Sequence, residues 1–396
     1  MRVSLMLLLT LLVFNGLVDW YIYRQLQRRS FNRRVLSRIQ KWTALAFAAL
    51  LLAAMIVPAR SGSSDELVVK MWLLFAYFSI YIPKFIAGVF DIIGGLPRLW
   101  HKGRIPGMAW TGVVLAVVVF VCFWWGALVT RYDIDKKDVE VSVKGLPDAF
   151  DGYRVAQFSD LHVGTFGSDT AFVSKLVDEI NALRPDAIVF TGDIVNRQSD
   201  EIHPFVKTLS RLEAPGGVYA ILGNHDYGDY REWDSSEAKA ANMEELYDAY
   251  RRAGIRLLLN ETEWLRRGND SIALIGVENI GDAPFPVYGS LSKAYPALDD
   301  SVAKILLTHN PAHWVDSIRD NDNLNVALSL AGHTHAMQVE VFGLSPASMR
   351  YETWGGMYAD PAGKRKLYVN IGAGEVGVPM RIGATPEITL LTLRRY

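Results

Sequence analysis

The chain has 396 residues, with 41 lysines and arginines against 42 aspartates and glutamates, and that balance excludes the strong basic excess of a nucleic-acid binder. Its single cysteine, Cys122, excludes an internal disulfide and a thiolate metal cluster. Apolar residues are unevenly spread. Residues 1–130 are dominated by long apolar stretches, whereas residues 131–396 have the mixed polarity and Gly/Pro punctuation of a globular domain. The division predicts a transmembrane region over 1–130, a linker and first strand over 131–149, and a domain over 150–396 with ample length for one large core.

Four stretches, about 3–23, 42–59, 67–92 and 109–130, approach the roughly 20 apolar residues that cross a bilayer, and they predict four transmembrane helices. The first lacks a small-residue cleavage site and continues into Asp19-Trp20-Tyr21, so it reads as a span and not as a cleaved signal. Residues 24–41 carry Arg24, Arg28, Arg29, Arg33, Arg34, Arg38 and Lys41 without an acidic residue, and the third connection carries Arg98, Lys102 and Arg104. Positive connections stay in the cytoplasm, which predicts that everything after residue 130 faces the exterior or periplasm. Lys70, Lys84 and Asp91 interrupt the third stretch near one helical face. Lys70 and Asp91 are close enough to its ends to reach the interface, which leaves Lys84 to be explained.

Five apolar runs follow in the second half: RVAQFSD, DAIVFTGD, VYAILGNHD, KILLTHN and VALSLAGHTH. Each reads as a short buried strand, with polar residues arriving where the strand ends. Strands of this kind belong to a sheet covered on both faces, and ligands bind beyond their carboxyl ends. There the runs place Asp160, His162, Asp193, Asn224, His225, Asp226, His309, His333 and His335.

Such a set suits a two-metal hydrolase, which holds two cations about 3.5 to 4 Å apart, shares one ligand between them and acidifies a water. Carboxylate and imidazole suit manganese, iron or zinc. Asp160 and His162 are two apart, so an extended segment points both to one side, and His333 and His335 repeat the spacing. Asp193 is the candidate bridge, because Gly192 before it lets the backbone come close. Each motif alone is common; their order and their shared position at strand ends are not. His101, His203 and His313 lack that setting and read as structural.

The series Asp-x-His, Gly-Asp, Gly-Asn-His-Asp, His and Gly-His-x-His resembles the calcineurin-like metallophosphoesterase superfamily over about residues 150–396. LPDAFDGYRVAQFSDLHVG, TWGGMY and LYVNIGAGEVGVPMRIGATPEITLLTL are similar to its membrane-associated branch, which includes phosphodiesterases and hydrolases of lipid-linked or nucleotide-sugar substrates. The resemblance implies an α/β fold, a four-layer α-β-β-α sandwich. It implies one metal on Asp160, His162, Asp193 and His335, and a second on Asp193, Asn224, His309 and His333. It makes His225 a catalytic proton donor and not a ligand, with Asn196, Asp226 and Tyr227 beside the ligands or the substrate. Several relatives have an acidic residue where this chain has Asn196. An amide can accept a hydrogen bond from His225 but offers no counter-charge. The aromatic segment after Asp226, with Tyr227, Tyr230 and Trp233, reads either as a wall of the substrate cleft or as an amphipathic surface helix.

The resulting expectation is a membrane-anchored phosphoesterase with two divalent ions, acting on a phosphate ester or pyrophosphate borne by a lipid or nucleotide-sugar, with membrane lipids as neighbours and no nucleic acid. The rival expectation is a membrane transporter or sensor with a regulatory, catalytically degenerate phosphoesterase-like domain.

Overall fold

The structure, a computed structural model, describes residues 5–29, 32–57, 62–100, 102–281 and 286–396; His101 falls outside them. The chain divides into two compact units, Met1–Leu128 with Gly377–Met380, and Val129–Val376 with Arg381–Tyr396.

Among the described residues the first unit contains four α-helices: α1 (Leu5–Arg29), α2 (Arg33–Ile56), α3 (Ser64–Gly95) and α4 (Met108–Leu128). Among the described residues three stretches, not the expected four, are long and apolar enough to cross a membrane: Arg33–Ile56, Ser64–Trp100 and Met108–Tyr132. The apolar run of α1 carries Asn15 and Asp19, and its first residues lie outside the described set. Helix α2 begins at Arg33, nine positions before its apolar stretch, because Arg and Lys are good helix formers and the helix runs through them. Ser63 starts α3 with a capping box: its hydroxyl accepts from Glu66 N–H, and the Glu66 carboxylate accepts from Ser63 N–H. Gly112 of α4 lies where an added Cβ would be 2.6 Å from Phe90 Cβ, which allows α3 and α4 to approach closely.

Lys70, Lys84 and Asp91 of α3 are all partnered within this unit. Lys70 donates to Val57 O at 2.9 Å, and Asp91 accepts from Tyr21 at 2.6 Å and pairs with Arg104 at 2.5 Å. Lys84 pairs with Asp19 of α1 at 2.9 Å, and the same carboxylate accepts from Tyr81 and Gln40, each at 2.7 Å. The mid-span lysine is thus neutralised by a carboxylate on a neighbouring helix, as an apolar medium demands.

The second unit runs β1 (Asp135–Val143), β2 (Arg154–Phe158), α5 (Ala171–Ala182), β3 (Ala187–Phe190), α6 (Val206–Leu209), β4 (Val218–Ala220), α7 (Ser236–Arg252), β5 (Arg256–Leu257), β6 (Glu261–Arg267), β7 (Asp270–Gly276), α8 (Leu291–Ala294), β8 (Lys304–Leu307), α9 (Ala312–Ser317), β9 (Leu328–Ala331), β10 (Gly356–Ala359), β11 (Lys366–Val369) and β12 (Glu387–Arg395). Two mixed six-stranded sheets form, in the orders β1-β12-β2-β3-β4-β5 and β10-β11-β9-β8-β7-β6. The five motif-bearing strands are split between them: β2, β3 and β4 are parallel in the first, and β8 and β9 are parallel in the second.

Three apolar cores account for four layers. Val155, Val189 and Leu391 of the first sheet meet Leu274, Ile305 and Leu330 of the second between the sheets. Ala156, Ile188 and Phe190 face Leu176 and Ile180 of α5 and Leu246 and Tyr250 of α7. Ala273, Leu306 and Val369 face Trp314 of α9 and Ala294 of α8. Helices thus cover both outer faces, which is why the central strands read as uninterrupted apolar runs. The α/β four-layer sandwich is the fold.

Candidate metal centre

Every predicted ligand lies just past the end of a buried strand. Asp160 and His162 follow β2, Asp193 follows β3, Asn224 follows β4, His309 follows β8, and His333 and His335 follow β9. The two sheets are braced at these ends: Gln157 of β2 donates to Ala331 O at 2.8 Å, and His309 Nδ1 donates to Thr191 O at 2.8 Å.

The backbone there is not extended. Asp160 (φ 52°), His162 (φ 43°), Asp193 (φ 63°), His333 (φ 77°) and His335 (φ 51°) all lie in the left-handed region. Asp160 with His162, and His333 with His335, therefore converge through sharp left-handed turns and not along the extended segments expected from their spacing. Non-glycine residues rarely adopt this conformation, and when they cluster they mark a site whose surroundings hold the strain. Here the holding bonds are explicit. Asp160 N–H donates to Gly192 O (2.9 Å), His162 N–H to Asp193 O (3.1 Å), and His333 N–H to the Asp160 carboxylate (2.9 Å). An added Cβ at Gly223 would strike the Asp193 carboxylate, and one at Gly332 would strike Ser159 and Asp160, so the motif glycines are cavities for carboxylates.

Asp226 clasps the loops. Fully buried, it accepts from the N–H groups of Asp193 (2.9 Å), Gly223 (2.9 Å), Ile194 (2.9 Å) and Val195 (3.2 Å). Burial and the Asp193 charge push its carboxyl up to about 7, against these four donors, which favour the ionised form.

Six of the seven predicted ligands fall in three linked groups: Asp160, His162 and His335 form one cluster, Asp193, His309 and His333 another, and His162 and Asp193 join the two through a third that includes His225. Asp193 Oδ2 lies 3.2 Å from His309 Nε2 and 3.6 Å from His162 Nε2, so one oxygen is close to a histidine of each of these two clusters. Asn224 Oδ1 lies 2.9 Å from His333 Nδ1 and 3.1 Å from His309 Nε2, and the Asn224 amide is oriented by its Nδ2 donating to Tyr230 at 2.8 Å. His162 Nδ1 donates to Val195 O at 3.1 Å, which leaves its Nε2 lone pair facing His335 Nε2 at 3.1 Å.

These donors fit divalent ions. Convergent imidazole lone pairs and carboxylate oxygens repel one another unless positive charge sits among them. The electrostatics agree. Burial alone would raise Asp160 and Asp193, but His335 beside the first and His309 beside the second hold both below the ordinary carboxylate range. Burial opposes charge on His309, yet Asp193 and Asp160 raise it to about 9, while burial and His309 lower His333 to about 3. A pocket that draws a proton onto a buried imidazole is one that favours added positive charge.

His225 is placed beside this cluster. Its Nδ1 donates to the Asn196 main-chain carbonyl at 2.7 Å, its N–H donates to Asp193 Oδ1 at 2.8 Å, and its ring stacks on Tyr230 with centroids 4.1 Å apart. The partner is thus the backbone oxygen of Asn196, not the side-chain amide anticipated above. The Asn196 amide donates instead to Thr165 at 3.2 Å, and buried Glu201 accepts from the Asn196 N–H. Tyr227 is buried: it stacks on Tyr288 at 3.7 Å and donates to Glu278 at 3.1 Å. It packs in the core beside the first sheet, and Tyr230 takes the position against His225. Of the three histidines read as structural, His203 pairs with Glu245 at 3.1 Å, and His313 is buried with its Nδ1 2.9 Å from Thr308 Oγ1.

Sequence reasoning missed Tyr351, whose hydroxyl lies 3.3 Å from His333 Nε2, and Arg381, buried 3.4 Å from His335 Nδ1. It also missed Glu375, buried and paired with Arg131 at 2.9 Å. Arg381 and Glu375 lie within the quoted GAGEVGVPMRIG segment, so a charged residue in an otherwise apolar, glycine-rich stretch was the available signal.

The family model for Calcineurin-like phosphoesterase matches residues 153–337, the span that carries every ligand. A metallophosphoesterase of Bacillus subtilis, YkuE, is 32% identical over 255 residues, covering 63% of this chain and 82% of that one. The chain belongs to the calcineurin-like phosphoesterases. Residues 1–131 match a second model, Probable Calcineurin-like phosphoesterase, transmembrane domain. A zebrafish (Danio rerio) transmembrane protein with metallophosphoesterase domain is 27% identical over 337 residues, covering 82% of this chain and 73% of its own. The UDP-2,3-diacylglucosamine pyrophosphatase LpxG of Chlamydia muridarum is 28% identical over 284 residues, covering 61% of this chain and 83% of its own. This calcineurin-like phosphoesterase is accordingly a membrane-associated metallophosphoesterase, a hydrolase of a family that binds divalent metals.

Proposed function

We propose that the protein hydrolyses a phosphate ester or pyrophosphate carried by a lipid or nucleotide-sugar, using two divalent ions of manganese, iron or zinc. The observation that carries this reading is the shared oxygen: Asp193 Oδ2 stands between His162 and His309, each with its own set of further donors. Asp160, His162, Asp193 and His335 would hold one ion, and Asp193, Asn224, His309 and His333 the other. Bound there, the ions supply charge that neutralises phosphoryl oxygens and makes water acidic enough to attack.

The chain's own contribution is positioning and proton transfer. The Asn196 carbonyl keeps one proton of His225 on Nδ1, and Tyr230 holds the ring plane, so it is the imidazolium form that gives its second proton, from Nε2, to the leaving oxygen and returns to the neutral Nδ1–H ring. A degenerate, regulatory domain would not need the full donor set or this orientation. The lipid or nucleotide-sugar class is supported by the membrane region and by the activity printed for the chlamydial relative.

The cationic residues 24–41 favour a cytoplasmic location. With three candidate spans after them, this reading has residues after 132 on the non-cytoplasmic side whether or not α1 crosses. The deciding experiment measures hydrolysis by the purified full chain with each metal, read as free phosphate from a monoester and as phosphomonoester products from a lipid- or nucleotide-sugar-borne pyrophosphate. His225→Ala should lower turnover about a hundredfold, the usual contribution of a positioned proton donor, with metal content unchanged. Loss of metal would make His225 a ligand, and unchanged turnover on a poor leaving group would remove it from the reaction.

A further inference from the structure

The segment Met337–Met349 joins the site to a surface unlike the rest of the sandwich. Met337 (44% exposed), Val341 (49%), Phe342 (100%), Leu344 (74%) and Met349 (92%) all present apolar side chains to the outside. From Val341 to Met349 no residue is charged, and Arg350 follows at the edge. Contiguous exposed apolar surface of this kind marks a binding face, whereas scattered single residues do not.

The shape is a hairpin tip. Val341 and Leu344 exchange main-chain hydrogen bonds of 2.9 and 3.1 Å around Phe342 (φ 54°) and Gly343 (φ 78°). Turns with two positive φ values normally carry Asn or Gly at the first position. A phenylalanine there is strained and its side chain is fully exposed, so neither local propensity nor burial explains it.

The base of the hairpin identifies what it meets. Glu340 N–H donates to Ile382 O at 2.8 Å and Ile382 N–H donates to Gln338 O at 2.9 Å, while the carbonyl of the adjoining Arg381 accepts from the Thr130 hydroxyl. Thr130 belongs to the last turn of the candidate span Met108–Tyr132. One strand spacing of about 4.8 Å and four residues of about 3.3 Å each put the tip within roughly 20 Å of that turn. The segment begins two residues after His335, and Tyr351, two residues past its end, lies against His333.

We propose that Val341, Phe342, Leu344 and Met349 insert into the bilayer that the chain spans, and that this membrane-borne foot sets the mouth of the metal centre at the lipid interface. Aromatic and aliphatic side chains on an uncharged tip, with arginine at the rim, are the composition that partitions into the headgroup and acyl boundary. Insertion does not depend on the reaction catalysed.

The test uses the full chain with Cys122→Ala, which removes the native thiol, and a nitroxide on Phe342→Cys, reconstituted in phosphatidylcholine and phosphatidylglycerol vesicles. Collision rates with oxygen, which concentrates in lipid, are compared with those of a nickel chelate, which stays in water. The oxygen rate should exceed the nickel rate at 342 and at Leu344→Cys, with the reverse at a label on exposed Glu213→Cys. A nickel rate equal to or above the oxygen rate at both tip positions overturns the proposal. So do low rates for both reagents, which would mean that protein, such as a second copy of the chain, covers the tip.

Discussion

Asp193→Asn removes one charge from the point where the two donor groups meet. In the native chain Asp193 Oδ1 accepts from His225 N–H at 2.8 Å while Oδ2 faces His309 and His162. Asparagine has a single acceptor oxygen. If it stays on His225, an NH₂ group points at the imidazoles and repels a cation; if it turns, the NH₂ meets the His225 N–H and the loop loses its anchor. Both arrangements disturb both halves. Removing only an outer partner of a metal ligand costs ten- to a hundredfold in affinity, so losing a ligand common to both ions should cost about a hundredfold or more at each. At 1.36 kcal/mol per tenfold, that is about 2.7 kcal/mol or more for each ion. Elemental analysis after dialysis at a fixed low metal concentration reads the result. The parent should retain close to two ions per chain and the variant close to none. One tightly held ion that survives the substitution would refute the shared carboxylate and, with it, the dinuclear reading.

Gly332→Ala should drive a methyl group into Ser159 and Asp160, lowering stability by about 1 to 3 kcal/mol and weakening metal binding together, measurable by thermal denaturation and metal titration. Burial lowers His313 from 6.5 to about 4, so the folded chain keeps it neutral where the unfolded chain is protonated. Its contribution is complete above about pH 6.5 and is lost as pH falls toward 4, by about 3 kcal/mol at most; His313→Gln should flatten that part of the pH dependence of unfolding. Replacing Arg28, Arg29, Arg33 and Arg34 with neutral residues should give mixed orientations. Added protease should cut residues 131–396 of the parent from the non-cytoplasmic face while residues 24–41 stay protected, and protection of the former until the membrane is broken would invert the topology.

The ligand strands were legible because a covered sheet demands apolar runs and the chemistry demands polar residues where those runs stop. What the pattern could not give was the partition into two sheets, since β2 and β9 are equally apolar and differ only in their neighbours. Helix ends were misjudged for a related reason. Apolarity measures the hydrocarbon thickness, whereas α2 continues through Arg33, Arg34 and Arg38, which cost a helix nothing. Lys84 needed a partner by any reading; that the partner was Asp19, 65 residues earlier, came only from the packing.

The least legible feature is the one on which the site depends. Five ligand residues adopt left-handed backbone, a choice that costs an L-residue roughly 1 to 2 kcal/mol and that propensity argues against at each position. Short-range preference is overruled by bonds that begin elsewhere in the chain. Asp226 fixes Asp193 from 33 residues away, Gly192 O holds Asp160, and the Asp160 carboxylate holds His333 across 173 residues. The same carboxylate is therefore both a candidate ligand and the brace of another, so the geometry of one donor group is a function of the other. Ions held in a site built in this way would be gained or lost as a unit, so the consequences of changing Asp193 or Gly332 are expected to spread beyond the nearest ion.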